Sequence, residues 1–208
     1  MRRIFYPIIF TLSFLYCAVS LAKEAPDDLL KRVTHELISE LREQDKDTRQ
    51  NNQTIYVIID KVLVPHVDWH AMSQWVVGRQ AWEKATPKQK ERFSSEFKDL
   101  LIRTYASTLK AYNNQTIEYM PIRGGLDGKT RVQVASRIRE PGREPIKVTY
   151  RLIDKGDNWQ VYDISIEGIS LLKGFQSQFA EDIQHRGIDA LTLRLHQHNE
   201  KPLRCARD

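Results

Sequence analysis

The sequence predicts an α+β fold, a curved four-stranded antiparallel sheet packed against several helices, and the prediction rests on changes of apolar period along the chain. Apolar residues recur with a helical period through most of the stretch from Pro26 to Leu109. From Asn114 the period becomes two, and closely spaced segments of that kind are joined by short turns rich in glycine. The helical period returns from Ser170 to about Asn199. With no internal repeat, low-complexity linker or second composition zone, residues 23–200 are expected to form a single domain, followed by a flexible tail at 201–208.

The chain opens with Met1-Arg2-Arg3, an apolar run from Ile4 to Val19 and the small-residue exit Ser20-Leu21-Ala22. A positive start, a short apolar segment and small residues at a cleavage point describe a secretory signal peptide over residues 1–22 rather than a membrane span. Tyr16 occupies the slot before Cys17 where lipid attachment needs a small residue, so a soluble, released product beginning near Lys23 is expected. Removing 22 of the 208 residues leaves 186, enough for a sizeable core. Cys205 is then the sole cysteine, so the core is held by burial without an internal disulfide.

The first helix is expected from Pro26 to Asp45, where Leu29, Leu30, Val33, Leu37, Ile38 and Leu41 share one face between charged residues. In Ile55 to Val64 the β-branched content suits a strand, but the phase of Val57, Asp60 and Lys61 suits a helix, which is expected here. Asp68 can cap a short helix that stops at Gly78, and Arg79 to Ala85 reads as a link. Thr86-Pro87-Lys88-Gln89 combines an N-cap, a first-turn proline and a capping-box glutamine. The helix it starts repeats Phe93, Phe97, Leu100, Leu101, Thr104, Tyr105 and Leu109 and should cross the whole domain.

Expected strands are Gln115 to Met120, Thr130 to Arg139, Ile146 to Asp154 and Asn158 to Glu167. Val132, Val134 and Ile138, and then Ile146, Val148, Tyr150 and Leu152, place apolar residues on one face. Arg131, Arg137, Arg139, Lys147 and Arg151 take the wetter face. The closing helical segment runs from Ser170 to Arg186, breaks at Gly187 and resumes at Ile188.

Charge excludes one class of partner. The whole chain has 32 basic and 27 acidic residues, and loss of Arg2 and Arg3 with the signal leaves a net charge of +3. The signs are interspersed, without the Lys/Arg block that nucleic-acid binding needs. Catalytic and metal constellations are equally thin. His66 and His70 have a zinc-compatible spacing, but Pro65 and the cap at Asp68 break the helical phase between them and no HExxH is present. There is no GxSxG or phosphate loop, and Gly124-Gly125 joins strands rather than opening a helix. Tyr162-Asp163 suits a small isomerase-type cone only if a bulge brings the neighbours to one side. The aromatic residues suit either a filled core or a lined cavity, and composition does not distinguish the two.

Three segments carry a resemblance: VLVPHVDWHAMSQWVVGRQAWEKATPKQKERFSSEFKDLLIRTYASTL (62–109), NWQVYDISIEGISLLKGFQSQF (158–179) and RGIDALTLRL (186–195). Their order and spacing are similar to the MlaC family, also called the toluene-tolerance auxiliary component, of periplasmic phospholipid carriers. The resemblance implies a monomeric, non-enzymatic periplasmic carrier with no cofactor and a diacyl glycerophospholipid as cargo, held in an apolar cavity between sheet and helices. Its implied partners are an outer-membrane lipoprotein-porin complex and an inner-membrane ABC transporter complex with a ring-forming lipid-binding subunit. Lining residues chosen by face are Val134, Val148, Tyr150 and Leu152 from the sheet and Phe97, Leu101, Tyr105, Leu172, Phe175 and Phe179 from the helices. Arg137, Arg139 and Lys147 are the expected partner-docking residues. The competing readings are an envelope hydrolase or isomerase, and an adaptor that bridges membrane complexes without binding lipid.

Overall fold

The computed structural model describes residues 23–45, 51–110 and 115–201, with nothing described of the Ser107 side chain. The expected signal peptide, both cysteines and all but the first residue of the expected tail lie outside the described residues. The architecture is α+β, with an antiparallel sheet and several helices.

Helix α1 (Pro26–Glu43) starts with proline at its first position, Asp27 and Asp28 in the first turn and Arg42 in the last, an arrangement that suits the helix dipole. Helix α2 (Asn52–Val62) is capped by Asn51, whose side chain accepts the Gln53 N–H at 2.9 Å. Its buried Ile55, Ile58, Ile59 and Val62 repeat at three and four residues, which resolves the strand-or-helix ambiguity in favour of helix. A 3-10 turn (Val64–His66) leads to α3 (Trp69–Val77), where Asp68 Oδ1 accepts the Ala71 N–H at 2.9 Å. Gly78, at φ 84°, ends α3.

The expected link at 79–85 is instead largely a short helix, α4 (Arg79–Lys84). Trp82 at its centre is 3% exposed, and burial of that indole offsets the lack of a side-chain cap. Helix α5 (Pro87–Lys110) opens on the capping box, the Thr86 N–H donating to Gln89 Oε1 at 2.8 Å and the Gln89 N–H to Thr86 Oγ1 at 3.3 Å.

Strands β1 (Thr116–Tyr119), β2 (Arg131–Arg139), β3 (Ile146–Asp154) and β4 (Trp159–Ile166) form an antiparallel meander in chain order. A two-residue strand absent from the expectation, β5 (Ile169–Ser170), pairs with the end of β4. It follows a tight turn in which Glu167 and Gly168 both have positive φ, 49° and 82°. Helix α6 (Leu171–Asn199) is capped by Ser170 and is interrupted at Gly187, whose φ of 76° and ψ of 175° are non-helical.

The register sets the faces. Val134 lies opposite Tyr150, Ser136 opposite Val148 and Val132 opposite Leu152. Between Arg151 and Leu152 the pairing with β4 slips: Arg151 faces Asp163 and Leu152 faces Val161, so Tyr162 is an extra, bulged residue. The bulge keeps Val161 and Ile164 on the apolar face and turns Asp163 away from it.

The buried residues fall into two clusters. The first joins α1, α2 and the C-terminal half of α5 (Ile102, Ala106) to the apolar sheet face through Val132, Val134, Leu152, Trp159 and Val161. The second joins α3, α4, the first half of α5 and α6, with Phe93, Phe97 and Phe179 at most 1% exposed. Phe97 stacks on Phe93 at 5.8 Å and meets Phe175 and Phe179 edge-on at 5.4 and 6.3 Å.

Asp163 fastens the second cluster to the sheet. Its carboxylate, 2% exposed, accepts the Ser170 hydroxyl at 2.8 and 3.0 Å, the Ile164 N–H at 2.9 Å and the Leu172 N–H at 3.4 Å, and it pairs with Arg151 at 3.3 Å. Asp163→Ala leaves those donors unmet and should lower stability by about 2–3 kcal/mol. The measurement is the urea midpoint, expected to fall with little change in slope; an unchanged midpoint contradicts the role given to Asp163.

Candidate functional site

A cavity of about 470 Å³ lies between α1 and the apolar sheet face. One wall is the stripe Leu30, Val33, Thr34, Leu37, Ile38 and Leu41 of α1. The facing wall is Ile117, Ile138, Ile146, Tyr150, Val161 and Ile164, and Leu63, His66, Val67 and Leu109 complete the enclosure. Glu140, Arg143 and Glu144, around the β2–β3 turn, also line it. Arg143 and Glu144 are exposed, so this end meets solvent, and Arg143 is paired with Glu140 at 3.2 Å.

The α1 wall is held by specific polar ties as well as by burial of Leu29, Leu30, Val33 and Leu41. Lys23, just before the helix, pairs with Asp154 and lies 4.6 Å from the centre of the Trp159 ring. The Tyr119 hydroxyl is 2.5 Å from Thr34 Oγ1 and donates to the Leu30 carbonyl at 3.3 Å. Burial pushes the Tyr119 and Tyr150 phenols above their ordinary value of 10. Burial, and secondarily the Arg32 guanidinium, holds the His66 imidazole below its ordinary 6.5. The shifts of Tyr119, Tyr150 and His66 therefore all favour the neutral side chain at pH 7.

Of the ten residues expected in a lining, the structure places Tyr150 in the cavity wall. Val134 and Leu152 are fully buried in the adjoining cluster. Val148 is buried between Ser136 and Ile166 and borders a groove on the sheet. Phe97, Leu101, Leu172 and Phe179, with Tyr105 and Phe175 packed against them, belong to the second buried cluster. The residues that face the hollow most extensively, those of α1, were visible in the sequence as an amphipathic stripe. Periodicity shows that such a stripe is covered, not that a gap separates it from its cover.

Arg137 and Lys147 stand directly opposite each other on β2 and β3. They line a groove of about 870 Å³ with Arg123, Lys129 and Arg131. Arg139 is instead held by Glu118, its Nε and Nη2 donating to one carboxylate oxygen at 3.1 and 3.0 Å.

The remaining candidates resolve as supports. The His70 ring stands edge-on to Trp82 at 5.0 Å, and among the described residues no group of three or more His, Cys, Asp or Glu is placed to hold a metal ion. The bulge that an isomerase-type cone requires is present at Tyr162. Even so, Asp163 is sealed among its hydrogen-bond donors, and the Tyr162 ring packs on the second cluster with the Arg131 guanidinium 5.6 Å away. That arrangement gives Asp163 no route to a substrate.

Comparison with known proteins agrees with this geometry. The family model described as MlaC protein matches residues 31–197. The toluene tolerance protein ttg2D of Pseudomonas putida is 31% identical over 171 residues, 82% of this chain and 79% of that protein. The intermembrane phospholipid transport system binding protein MlaC of Haemophilus influenzae is 24% identical over 206 residues, 98% of this chain and 96% of that one. Among solved structures, a phospholipid-binding protein from Ralstonia solanacearum in complex with a phospholipid superposes with a TM-score of 0.75 at 35% identity, covering 82% of this chain and 94% of that one. With the family pattern running through the helices and strands that enclose the cavity, the chain belongs to the MlaC family.

Proposed function

We propose that this chain is a soluble periplasmic phospholipid carrier and not an enzyme, and that its cavity sheathes the acyl tails of a glycerophospholipid during transfer between membrane complexes. The observation that carries the reading is the apolar hollow between α1 and the sheet, in a chain similar over most of its length to a protein solved with a phospholipid bound. Residues 23–200 act as one carrier domain, released by cleavage of the signal near Lys23.

The energetic need is large. Two acyl chains hold on the order of 30 methylenes, and at about 0.8 kcal/mol each their exposure to water costs roughly 25 kcal/mol. A closed apolar sleeve removes most of that barrier. At roughly 30 Å³ per water-sized group, a cavity of about 470 Å³ accommodates one such chain. A second chain requires α1 to move outward from a sheet that curves around the tails, while the filled core around Phe97 stays fixed.

The proposed lining is therefore Leu37, Ile38, Ile138, Ile146, Tyr150 and Ile164, with the aromatic cluster bracing it from behind. The headgroup remains at the solvent-facing end near Arg143. Arg137 and Lys147 dock acidic surfaces of the partner complexes, one at the outer membrane with a lipoprotein and porin, the other an inner-membrane ABC transporter with a lipid-binding ring. Opposed charges of this kind act chiefly on the association rate.

Organic extraction of freshly purified protein followed by mass spectrometry should yield stoichiometric diacyl phospholipid; its reproducible absence, with no uptake from vesicles, rejects the carrier reading. Leu37→Glu buries a carboxylate in the wall and should abolish lipid retention in a folded protein, whereas Phe97→Leu should lower stability and leave lipid bound. Arg137→Glu with Lys147→Glu should slow transfer to membranes bearing the partner complexes about tenfold at low salt without emptying the cavity; equal rates argue against this docking surface.

The depressed His66 value also has a sign. The unfolded chain takes up the proton first, so the stability this residue contributes is complete above about 6.5 and declines as pH falls through its folded value. Urea midpoints at about pH 7.5 and pH 5 should differ less in His66→Gln than in the parent, and an identical difference in both proteins discounts the effect.

A further inference from the structure

The outer face of the sheet has a hollow of its own. On β2 the outward side chains run Arg131, Gln133, Ala135 and Arg137, and on β3 they run Lys147, Thr149 and Arg151. Ala135 stands opposite Thr149, so the two shortest of these side chains form a notch between longer neighbours. Lys129 and the segment from Met120 to Arg123 close one side, and together they enclose the groove of about 870 Å³. From Arg131 to Arg137 the groove follows β2 for about 20 Å at the rise of a strand.

The lining holds the cationic side chains of Arg123, Lys129, Arg131, Arg137 and Lys147, and no carboxylate. Among the described residues none of these cations is in a salt bridge, because Glu118, across from Arg137, gives its carboxylate to Arg139. Arg137 and Lys147 face each other across strands, so their mutual repulsion is relieved by an anion that comes from elsewhere. Two of the charges are turned into the walls. The Lys129 ammonium donates to the carbonyls of Arg123, Gly124 and Gly125 at 3.3, 2.6 and 2.9 Å, and the Arg131 guanidinium lies 5.6 Å from the centre of the Tyr162 ring. That disposition suits a narrow anionic object entering the groove. A flat bilayer reaches side chains that project from a convex surface, and a lone phosphate needs cations that converge on one point, whereas these are spread along a strand.

We propose that this groove seats an extended acidic segment of a partner protein, its carboxylates meeting Arg131, Arg137 and Lys147 and its backbone lying in the notch at Ala135. The inference rests on the docking reading and deepens it, replacing a general attraction between surfaces with a defined site for one length of chain. A groove of about 20 Å holds about six residues of extended chain. Charge draws the segment in, and the notch selects for a chain thin enough to enter. Because the groove and the apolar hollow lie on opposite faces of the sheet, the segment binds with the cargo in place.

The experiment follows the fluorescence anisotropy of a labelled hexaglutamate peptide titrated with the lipid-loaded mature chain, with hexalysine as the control. Saturable binding of hexaglutamate alone is expected, weakening as salt screens the exposed charges. Arg137→Gln with Lys147→Gln should weaken it about fivefold. Ala135→Tyr, at an exposed strand position, keeps every charge and should weaken binding by a similar factor because it fills the notch. Lipid retention in each variant reports that the fold is intact. Unchanged affinity in Ala135→Tyr overturns the seated segment in favour of diffuse charge. No binding by the parent, or binding to phosphatidylglycerol vesicles without binding to the peptide, overturns the groove assignment, and lipid recovered by extraction from the same samples keeps the carrier reading intact. Hexaglutamate in excess should slow transfer to membranes bearing the partner complexes about fivefold; a bound peptide that leaves transfer at its original rate overturns the docking reading on which the proposal rests.

Discussion

An apolar hollow persists in water only where its walls are held apart by something that cannot collapse into it. In this protein that support is α5. Its first half is locked by Phe93 and Phe97 into a close-packed aromatic cluster, while Ile102 and Ala106, further along the same helix, stand behind the sheet-and-α1 layer. A rigid rod shared by both clusters lets the first be loosely filled without loosening the second. The sealed Asp163, tying the start of α6 to β4, completes the frame from the other side.

The sheet divides the chemistry as cleanly as it divides the packing. One face supplies isoleucine, valine and phenol groups to the hollow, and the other carries Arg131, Arg137 and Lys147 into an open basic groove. Arg137 and Lys147, paired across strands, repel one another, a local cost that sheets usually avoid. The bulge at Tyr162 keeps this division intact along β4, because without the additional residue the carboxylate of Asp163 would turn toward hydrocarbon.

Much of this was legible in the residues. The capping box at Thr86, the break at Gly187, the meander and its apolar parity all follow from local rules that tertiary packing did not override. The segment at 79–85 escaped because a six-residue helix has too few turns to show a period, and only the burial of Trp82 explains it. The detail of the lining is harder to read. Phe97, Phe175 and Phe179 look in sequence like walls for a greasy ligand, and in the fold their rings also contact one another. The less conspicuous leucines and isoleucines of α1 are left facing a gap, and a gap has no signature in the spacing of the residues around it.

The wall that closes the hollow is also the first helix of the described chain, and its mates come late. Thr34 meets Tyr119 across 85 positions, and Lys23 meets Asp154 across 131. Contacts so distant in sequence form slowly. A polypeptide threaded through a membrane with its amino end leading therefore holds an uncovered leucine-rich helix until the meander has followed it across. During that interval the apolar stripe of the helix is exposed, and surface of that kind is what makes a partly folded chain prone to aggregate.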